Sequence, residues 1–267
     1  MLSDEVVGQL AARLDEAERT REPLEHFTKS YPDMTIADAY AIQRRWVEMK
    51  LSRGARQIGR KIGLTSRAMQ KGAGINEPDY GVLLDYMSYE TGAVLAWEKF
   101  LAPRVEVELC FVLNQQLRGP GVSLFDVLSA TSWVIPAIEV VDTRFHRFDP
   151  LTQSPRRIQD TIADNAANGA VVVGGRPVRV DECDLRRVGA VLYRNEVVED
   201  TGVSAAVMDH PARGVAWLAN AIASHGEMLE PGELILAGSF TTSIPVSQGD
   251  VVFGDYGELG TISCRFS

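Results

Sequence analysis

The sequence predicts an α+β fold in which a helical N-terminal region precedes a larger, strand-rich part. In the first part of the chain, apolar residues recur at three- and four-residue steps, as at Val6, Leu10 and Leu14, which is the period of one helix face. From about residue 94 onward, short runs rich in Val and Ile alternate with turns, as strands do. These strands do not alternate regularly with helices, which argues against a βαβ fold.

Two helices are predicted before residue 60. The first ends before Pro23, because proline cannot continue the hydrogen-bond pattern of a helix. The second starts near Thr35, a suitable N-cap residue with Asp38 three positions further on, and stops at Gly54. We therefore expect a helical region over residues 1–60 and a β-rich domain with the candidate site over residues 61–267.

Seven apolar runs in the second part of the chain are predicted to be strands. They are Val105–Leu113, Trp133–Val141, Ala170–Val173, Leu185–Tyr193, Glu233–Ala237, Asp250–Phe253 and Ile262–Phe266. Two helices are expected to interrupt them, near Leu124–Ala130 and Pro211–Ser224.

The composition excludes several classes of protein. The 267 residues include 27 Lys and Arg against 36 Asp and Glu, for a net charge of -9. Nucleic-acid binding needs a basic face, so no nucleic-acid partner is expected. No run approaches the roughly 20 apolar residues that a membrane-spanning helix needs. The three cysteines form no C-x-x-C motif, which favours a reducing, cytoplasmic compartment.

The segment Arg104–Leu113 carries two carboxylates in an unusual setting. Side chains alternate between the two faces of a strand, so Glu106 and Glu108 share a face with Cys110 and Val112. Two like charges repel each other unless a positive charge lies between them. A solvated strand face is one interpretation, but the apolar residues that continue the same face favour a bound divalent cation.

The run Trp133–Asp142 is almost wholly apolar and contains Glu139. A buried, ionised carboxylate needs a partner, which here is either an arginine or the same cation. A site of three glutamates suits Mg²⁺ or Mn²⁺ better than zinc. Lys61, in a glycine-containing segment, is the candidate for balancing the remaining charge, and Asp79 is a plausible second polar group.

Six segments resemble the hydratase/decarboxylase branch of the fumarylacetoacetate hydrolase superfamily. They are Lys61–Gln70, Glu77–Gly81, Arg104–Glu108, Val134–Glu139, Asp160–Asn168 and His210–Asn220. The resemblance covers nearly the whole chain and implies a mixed β-roll of this family's type, preceded by a helical N-terminal region. It also implies metal ligands at Glu106, Glu108 and Glu139, an active-site lysine at Lys61 and a site position at Asp79.

The activity that the resemblance implies is a metal-dependent hydration of a 2-hydroxy-2,4-dienoate in the degradation of aromatic compounds. Mg²⁺ or Mn²⁺ is the expected cofactor, and water is expected to add at C4. Lys61 and Asp79 are expected to move the protons as an acid–base pair. The resemblance further implies a homo-oligomer.

A seven-carbon dicarboxylate is the expected substrate, and burying its distal carboxylate requires a cation. Arg144 lies just beyond the strand of the third glutamate, and Arg156 and Arg157 lie in a proline-bounded loop that could close over a ligand. We expect this group to supply the substrate-binding cation. Arg67 is a further candidate, and so is Arg60, which stands where relatives are expected to have histidine.

Four alternatives remain open. A decarboxylase of the same branch would share every metal ligand, and a 2-hydroxypenta-2,4-dienoate hydratase would differ in substrate length. A hydrolase would need a histidine upstream of the Glu-x-Glu pair, and the chain has none from Phe27 to Phe145. A non-catalytic partner subunit would not need the intact glutamates and Lys61.

Overall fold

The computed structural model describes residues 1–267, apart from the side chain of residue 73. In this described part of the chain there are seven α-helices: Asp4–Thr20 (α1), Phe27–Ser30 (α2), Ile36–Ser52 (α3), Arg67–Ala73 (α4), Leu124–Ser129 (α5), Ile158–Ala163 (α6) and Pro211–Ala223 (α7). All helices longer than thirteen residues precede the first strand, as the apolar period predicts.

Thirteen strands are found over the same described residues. They are Gln57–Gly63 (β1), Asp79–Leu84 (β2), Ser88–Glu90 (β3), Ala93–Leu95 (β4), Arg104–Leu113 (β5), Thr131–Val141 (β6), Asn168–Val173 (β7), Gly189–Arg194 (β8), Val197–Val203 (β9), Leu234–Ser239 (β10), Ile244–Pro245 (β11), Val251–Asp255 (β12) and Thr261–Phe266 (β13). Each of the seven predicted runs overlaps one of them. β8 starts only at Gly189, later than the run Leu185–Tyr193 predicts.

The strands form two mixed sheets. The larger has the order β2-β1-β10-β5-β6-β7-β3, with β11 paired to β5, and the smaller has the order β4-β13-β12-β8-β9. β10 runs parallel to β1 and antiparallel to β5, although it is formed by a late part of the chain. The predicted α+β class, with mixed sheets behind a helical N-terminal region, is thereby confirmed.

The N-terminal helices follow their sequence signals closely. The hydroxyl of Thr35 accepts a hydrogen bond from the backbone N–H of Asp38 at 3.1 Å, and Oδ2 of Asp38 accepts one from the N–H of Thr35 at 3.0 Å. This reciprocal pair is a capping box, so α3 starts where the sequence predicts. α1 and α3 bury their apolar faces in a core that also contains Phe145 and Ile162, which lie after β6.

The main core lies on the apolar face of β5. Val105, Val107, Leu109 and Phe111 are each 0% exposed and belong to the largest apolar cluster. The alternation predicted for this strand is therefore observed, and its carboxylates point to the opposite face. The division of the chain at residue 60 stays a prediction.

None of the described helices combines the length and the apolar character needed to cross a bilayer.

Candidate metal centre and acid–base pair

The candidate site is centred on the adjacent strands β5 and β6. Glu106 and Glu108 lie on one face of β5, and Glu139 of β6 is paired in register with Glu106. One carboxylate oxygen from each of the three residues lies within 4.8 Å of the others. Glu106 is 8% exposed, and Glu108 and Glu139 are each 1% exposed. Strand alternation and register thus gather three buried oxygen ligands at one point of the sheet.

Lys61 supplies positive charge beside these carboxylates. Its Nζ lies 3.0 Å from Oε1 of Glu139, and its side chain is buried. Burial favours the neutral amine, but the nearby carboxylates, first Glu139 and then Asp79, outweigh it and raise the pKa of Lys61 above its ordinary value. The lysine is therefore protonated at neutral pH.

Asp79 begins β2 and is paired in register with Gly63 of β1. A Cβ atom at Gly63 would collide with Oδ1 of Asp79 and would lie 3.5 Å from Nζ of Lys61. The absence of a side chain at Gly63 therefore leaves the space in which the aspartate approaches the lysine. Among the described residues, Oδ1 of Asp79 has no hydrogen-bond partner. Burial, opposed by the charge of Lys61, raises the pKa of Asp79 and favours the protonated acid.

The edge strand β2 is held by a left-handed turn after α6. Asn165, Ala166 and Ala167 have φ values of 52°, 51° and 56°, a conformation that costs an L-residue roughly 1–2 kcal/mol. Oδ1 of Asn165 accepts a hydrogen bond from the backbone N–H of Val82 at 2.7 Å, and its Nδ2 donates to the Val82 carbonyl at 2.9 Å. The amide side chain thus pairs with the edge strand that carries Asp79.

Gly238 of β10 completes the surroundings of Glu108 and was not identified from the sequence. Its backbone N–H donates to Oε2 of Glu108 at 2.9 Å. The register of β10 against β5 shifts at this point, and Gly238 has a φ of 115°, where glycine is favoured. A glycine inside an apolar strand run is a signal for such a bulge. The Thr65 side chain fills the space beside Gly238, and its Oγ1 is enclosed without a hydrogen-bond partner among the described residues.

The electrostatics of the triad fit a divalent cation. Burial, followed by the charge of Glu139, raises the pKa of Glu106 to about 7 and that of Glu108 well above its ordinary value. Three ionised glutamates and one lysine carry a net charge of about -2, which a divalent cation neutralises. Carboxylate oxygens are the ligands that Mg²⁺ and Mn²⁺ prefer.

Arg144 forms hydrogen bonds to other parts of the protein through its guanidinium group. Its Nε is 2.5 Å from Oδ1 of Asp164, its Nη2 donates to the Asp164 carbonyl at 2.7 Å, and its Nη1 donates to the Asn168 carbonyl at 2.9 Å. The side chain is 3% exposed. All three guanidinium nitrogens are therefore hydrogen-bonded within the protein, and substrate binding by Arg144 stays a prediction. The sequence could not reveal this, because the partner lies on another element.

The other candidate arginines occupy different positions. Arg60 points to the face of β1 opposite to that of Lys61, because neighbouring strand residues alternate between faces. Its guanidinium pairs with Glu227 at 2.7 Å. Arg157 is exposed, and its Nη1 donates to the Pro32 carbonyl at 3.2 Å. Arg156 is partly buried, and its Nη1 is enclosed without a hydrogen-bond partner among the described residues.

Comparison with known proteins gives consistent results. Residues 65–267 match the family model described as "Fumarylacetoacetate (FAA) hydrolase C-terminal". The chain is 54% identical over 257 residues to the 2-oxo-hept-4-ene-1,7-dioate hydratase of Escherichia coli, covering 96% of both chains. It is 38% identical over 267 residues to the 4-oxalocrotonate decarboxylase of Pseudomonas sp. (strain CF600), covering 99% of this chain and 98% of the relative.

Among solved structures, the chain is similar to the 4-oxalocrotonate decarboxylase of Pseudomonas putida G7 complexed with magnesium and adipate. The TM-score is 0.95 at 37% sequence identity, and the match covers 100% of this chain and 99% of the other. The fold and the sequence agree over essentially the full length. This protein therefore belongs to the fumarylacetoacetate hydrolase family.

Proposed function

We propose that this protein is a metal-dependent hydratase of aromatic catabolism. Its substrate is 2-oxo-hept-4-ene-1,7-dioate, or the 2-hydroxy-2,4-dienoate tautomer, and its product is 4-hydroxy-2-oxoheptanedioate. The similarity to the hydratase of Escherichia coli over 96% of both chains supports this reaction. The cofactor is Mg²⁺ or Mn²⁺, which the magnesium complex of the Pseudomonas putida G7 relative supports.

The observation that carries the proposal is a buried glutamate triad beside a buried acid–base pair. Glu106, Glu108 and Glu139 would hold the cation, which supplies Lewis-acid stabilisation to a 2-oxo acid when bound. Lys61 and Asp79 lie on the β1–β2 side of the same site. Asp79 has a raised pKa and is suited to donate a proton at C5.

The proton transfers of the reaction define the roles of Lys61 and Asp79. Protonation of the dienol at C5, with loss of the proton of its 2-hydroxyl group, gives a conjugated 2-oxo-3-enoate. Water then adds to this enone at C4 and loses one proton while C3 gains one, so the reaction has no net proton change. Lys61 is protonated and lies beside Asp79 and Glu139, so it is placed to pass its proton to the ionised Asp79 and to take up the proton that the water loses. The apolar neighbours of the site, Leu83, Cys110 and Leu236, limit the access of bulk water.

An arginine of the segment 144–157 would bind the distal carboxylate of the substrate. The adipate in the complex of the Pseudomonas putida G7 relative is itself a dicarboxylate, which supports a site for two carboxylates. Arg156 and Arg157 are the better candidates, because every guanidinium nitrogen of Arg144 already donates to Asp164 or Asn168.

The test is a direct assay of the reaction. The ultraviolet absorbance of the seven-carbon dienol is expected to fall when protein and Mg²⁺ are added, with formation of 4-hydroxy-2-oxoheptanedioate and no release of CO₂. A chelator is expected to abolish the change, and Mg²⁺ to restore it. Absence of the hydrated product in the presence of Mg²⁺ or Mn²⁺ would contradict the proposal.

A decarboxylase is the second candidate function. The 38% identical relative from strain CF600 and the structural match at a TM-score of 0.95 both have this activity in their names. A decarboxylase would release CO₂ from a 2-oxo-enedioate with the same metal ligands. Measuring CO₂ and hydrated product in one reaction separates the two functions.

We further propose a cytoplasmic homo-oligomer whose only ligands are small molecules, without nucleic-acid or membrane partners. Three free cysteines and a net charge of -9 support the compartment and the absence of nucleic acid.

The strand β9 lies at a sheet edge and exposes three valines, Val197, Val198 and Val203, which a second copy could cover. Sedimentation equilibrium tests this assembly, and a purely monomeric protein would contradict it.

A further inference from the structure

The loop after β6 brings two arginines together at the edge of the metal centre. Phe148 and Pro155 form an isolated β-bridge, and the backbone N–H of Arg156 donates to the Arg147 carbonyl at 3.3 Å. Asp149 stiffens the loop, because its Oδ1 accepts hydrogen bonds from the N–H groups of Leu151 at 2.9 Å and Thr152 at 2.8 Å. Because Arg147 and Arg156 lie opposite each other across this loop, their guanidinium groups are neighbours.

A third arginine joins this cluster from the strand of the metal ligands. Arg104 precedes Glu106 by two residues on β5, so both side chains lie on one face, roughly 6.7 Å apart along the strand. Burial and then the charges of Arg156 and Arg104 lower the pKa of Arg147 to about 10, and Asp142 and Glu106 offset only part of this effect. Such a cluster is stabilised by an anion placed among its members.

Within this cluster, Arg156 has the free hydrogen-bond donor. Nε of Arg156 donates to Oγ1 of Thr161 at 2.9 Å, which fixes the guanidinium, while Nη1 is enclosed and has no partner among the described residues. Nη2 of Arg147 already donates to the Ala102 carbonyl at 2.9 Å, and Nε of Arg104 donates to Oγ of Ser243 at 2.8 Å. A buried guanidinium N–H without a partner is costly unless a ligand accepts from it.

The arginine cluster lies beside the proposed acid–base pair and metal ligands. The guanidinium of Arg156 is one of the charges that act on Asp79, and the carboxylate of Glu106 is one of the charges that act on Arg147. A seven-carbon diacid has six C–C bonds of about 1.5 Å, so its two carboxylates are roughly 7–8 Å apart when extended. With one carboxylate at the triad, the other therefore lies among the side chains that neighbour the triad.

We infer that Arg156 binds the distal carboxylate of the substrate and thereby determines the preference for dicarboxylates over monocarboxylates. This inference rests on the proposed function, since it assigns the substrate class of the same site. Arg104 and Arg147 add positive charge around the bound group, while Arg156 supplies the direct hydrogen bonds. A charge-assisted pair of this kind changes affinity by roughly ten- to a hundred-fold.

The test compares two substrates in three variants. The ratio of kcat/KM for the seven-carbon dienedioate to that for 2-hydroxypenta-2,4-dienoate is measured in wild type, R156Q and R156K. R156Q is expected to lower the ratio roughly ten- to a hundred-fold, and R156K to lower it less, because lysine keeps the charge but not the two-pronged geometry. R157Q distinguishes Arg156 from the neighbouring candidate, and it is expected to keep the wild-type ratio. R179Q is the control, because the exposed side chain of Arg179 pairs with Asp181 at 3.6 Å and has no place at the site.

Binding of inert ligands provides a second readout. In the presence of Mg²⁺, R156Q is expected to reduce the preference for adipate over hexanoate by a similar factor in calorimetry. An unchanged preference in R156Q, or a loss of preference in R157Q or in the control R179Q, would overturn the inference. If wild type hydrates neither substrate, the proposed function fails, while the adipate-to-hexanoate preference still decides the role of Arg156.

Discussion

Metal binding at the glutamate triad is expected to weaken as the pH falls from 8 to 6. Burial, followed by the charge of Glu139, raises the pKa of Glu106 to about 7. A carboxyl group must lose its proton before it binds a cation, so metal binding releases a proton from Glu106 below pH 7. The apparent affinity for Mg²⁺ is therefore highest above pH 7 and declines in acid.

A single competing proton sets the minimum size of this effect. With a pKa of about 7, Glu106 is roughly nine-tenths protonated at pH 6, so the affinity at pH 6 is about one-tenth of that at pH 8. A tenfold change corresponds to about 1.4 kcal/mol of binding free energy. Because the pKa of Glu108 is also raised, the decline is at least this large.

The same proton affects the stability of the metal-free protein. The pKa of Glu106 is about 7 in the folded state and about 4.3 in an unfolded chain. Between about pH 4.3 and about pH 7 the folded state binds more protons than the unfolded chain. The free energy of unfolding of the metal-free protein therefore falls as the pH rises through this range. Bound Mg²⁺ offsets this loss, and the rise in Tm on adding Mg²⁺ is expected to be larger at pH 8 than at pH 6.

Calorimetry tests these expectations directly. Titration of Mg²⁺ in two buffers with different ionisation enthalpies counts the protons released on binding. At least about one proton is expected at pH 6 and fewer at pH 8, and E106Q is expected to bind Mg²⁺ more weakly with a smaller pH dependence. An affinity that is equal at pH 6 and pH 8, with no proton released at either, would refute the reasoning.

Three further predictions concern single substitutions. Lys61→Ala is expected to lower kcat by about 10²–10⁴-fold and the calorimetric affinity for Mg²⁺ far less; an unchanged kcat would remove Lys61 from the mechanism. Gly63→Ala places a methyl group against the carboxylate of Asp79 on β2, so kcat/KM is expected to fall roughly tenfold or more. Gly72→Ala, with open space around its Cβ, is the control and should retain activity; equal losses in both would contradict the steric argument. Arg144→Ala leaves Asp164 buried without its partner, and urea denaturation is expected to show a loss of about 3–5 kcal/mol, whereas an unchanged midpoint would argue against a scaffold role.

Strand alternation explains how much of the site could be predicted from the sequence. Glu106 and Glu108 share a face because they are two residues apart, and the structure keeps them on one face of β5. Their meeting with Glu139 depends on the register of β5 against β6, which no local pattern specifies. The resemblance to the family supplied that link.

The different roles of the three candidate arginines could not be predicted from the sequence. Arg144, Arg156 and Arg157 are equally plausible as cations near a substrate when only their spacing is known. Their roles differ because Arg144 is paired with Asp164, whereas Nη1 of Arg156 has no hydrogen-bond partner among the described residues. Such pairing depends on side chains from separate elements, and it becomes visible only in the folded chain.

The central place of β10 in the larger sheet has a consequence for the order of folding. β10 lies between β1, which carries Lys61, and β5, which carries two of the glutamates, yet it is formed by Leu234–Ser239. Contacts between segments far apart in the chain form slowly, because long loops must close first. During synthesis Lys61 and the glutamates of β5 and β6 all leave the ribosome before β10, the strand that joins β1 to β5. A chain that stops before residue 234 contains every proposed metal ligand, and it is expected to lack the sheet order that places Lys61 beside them.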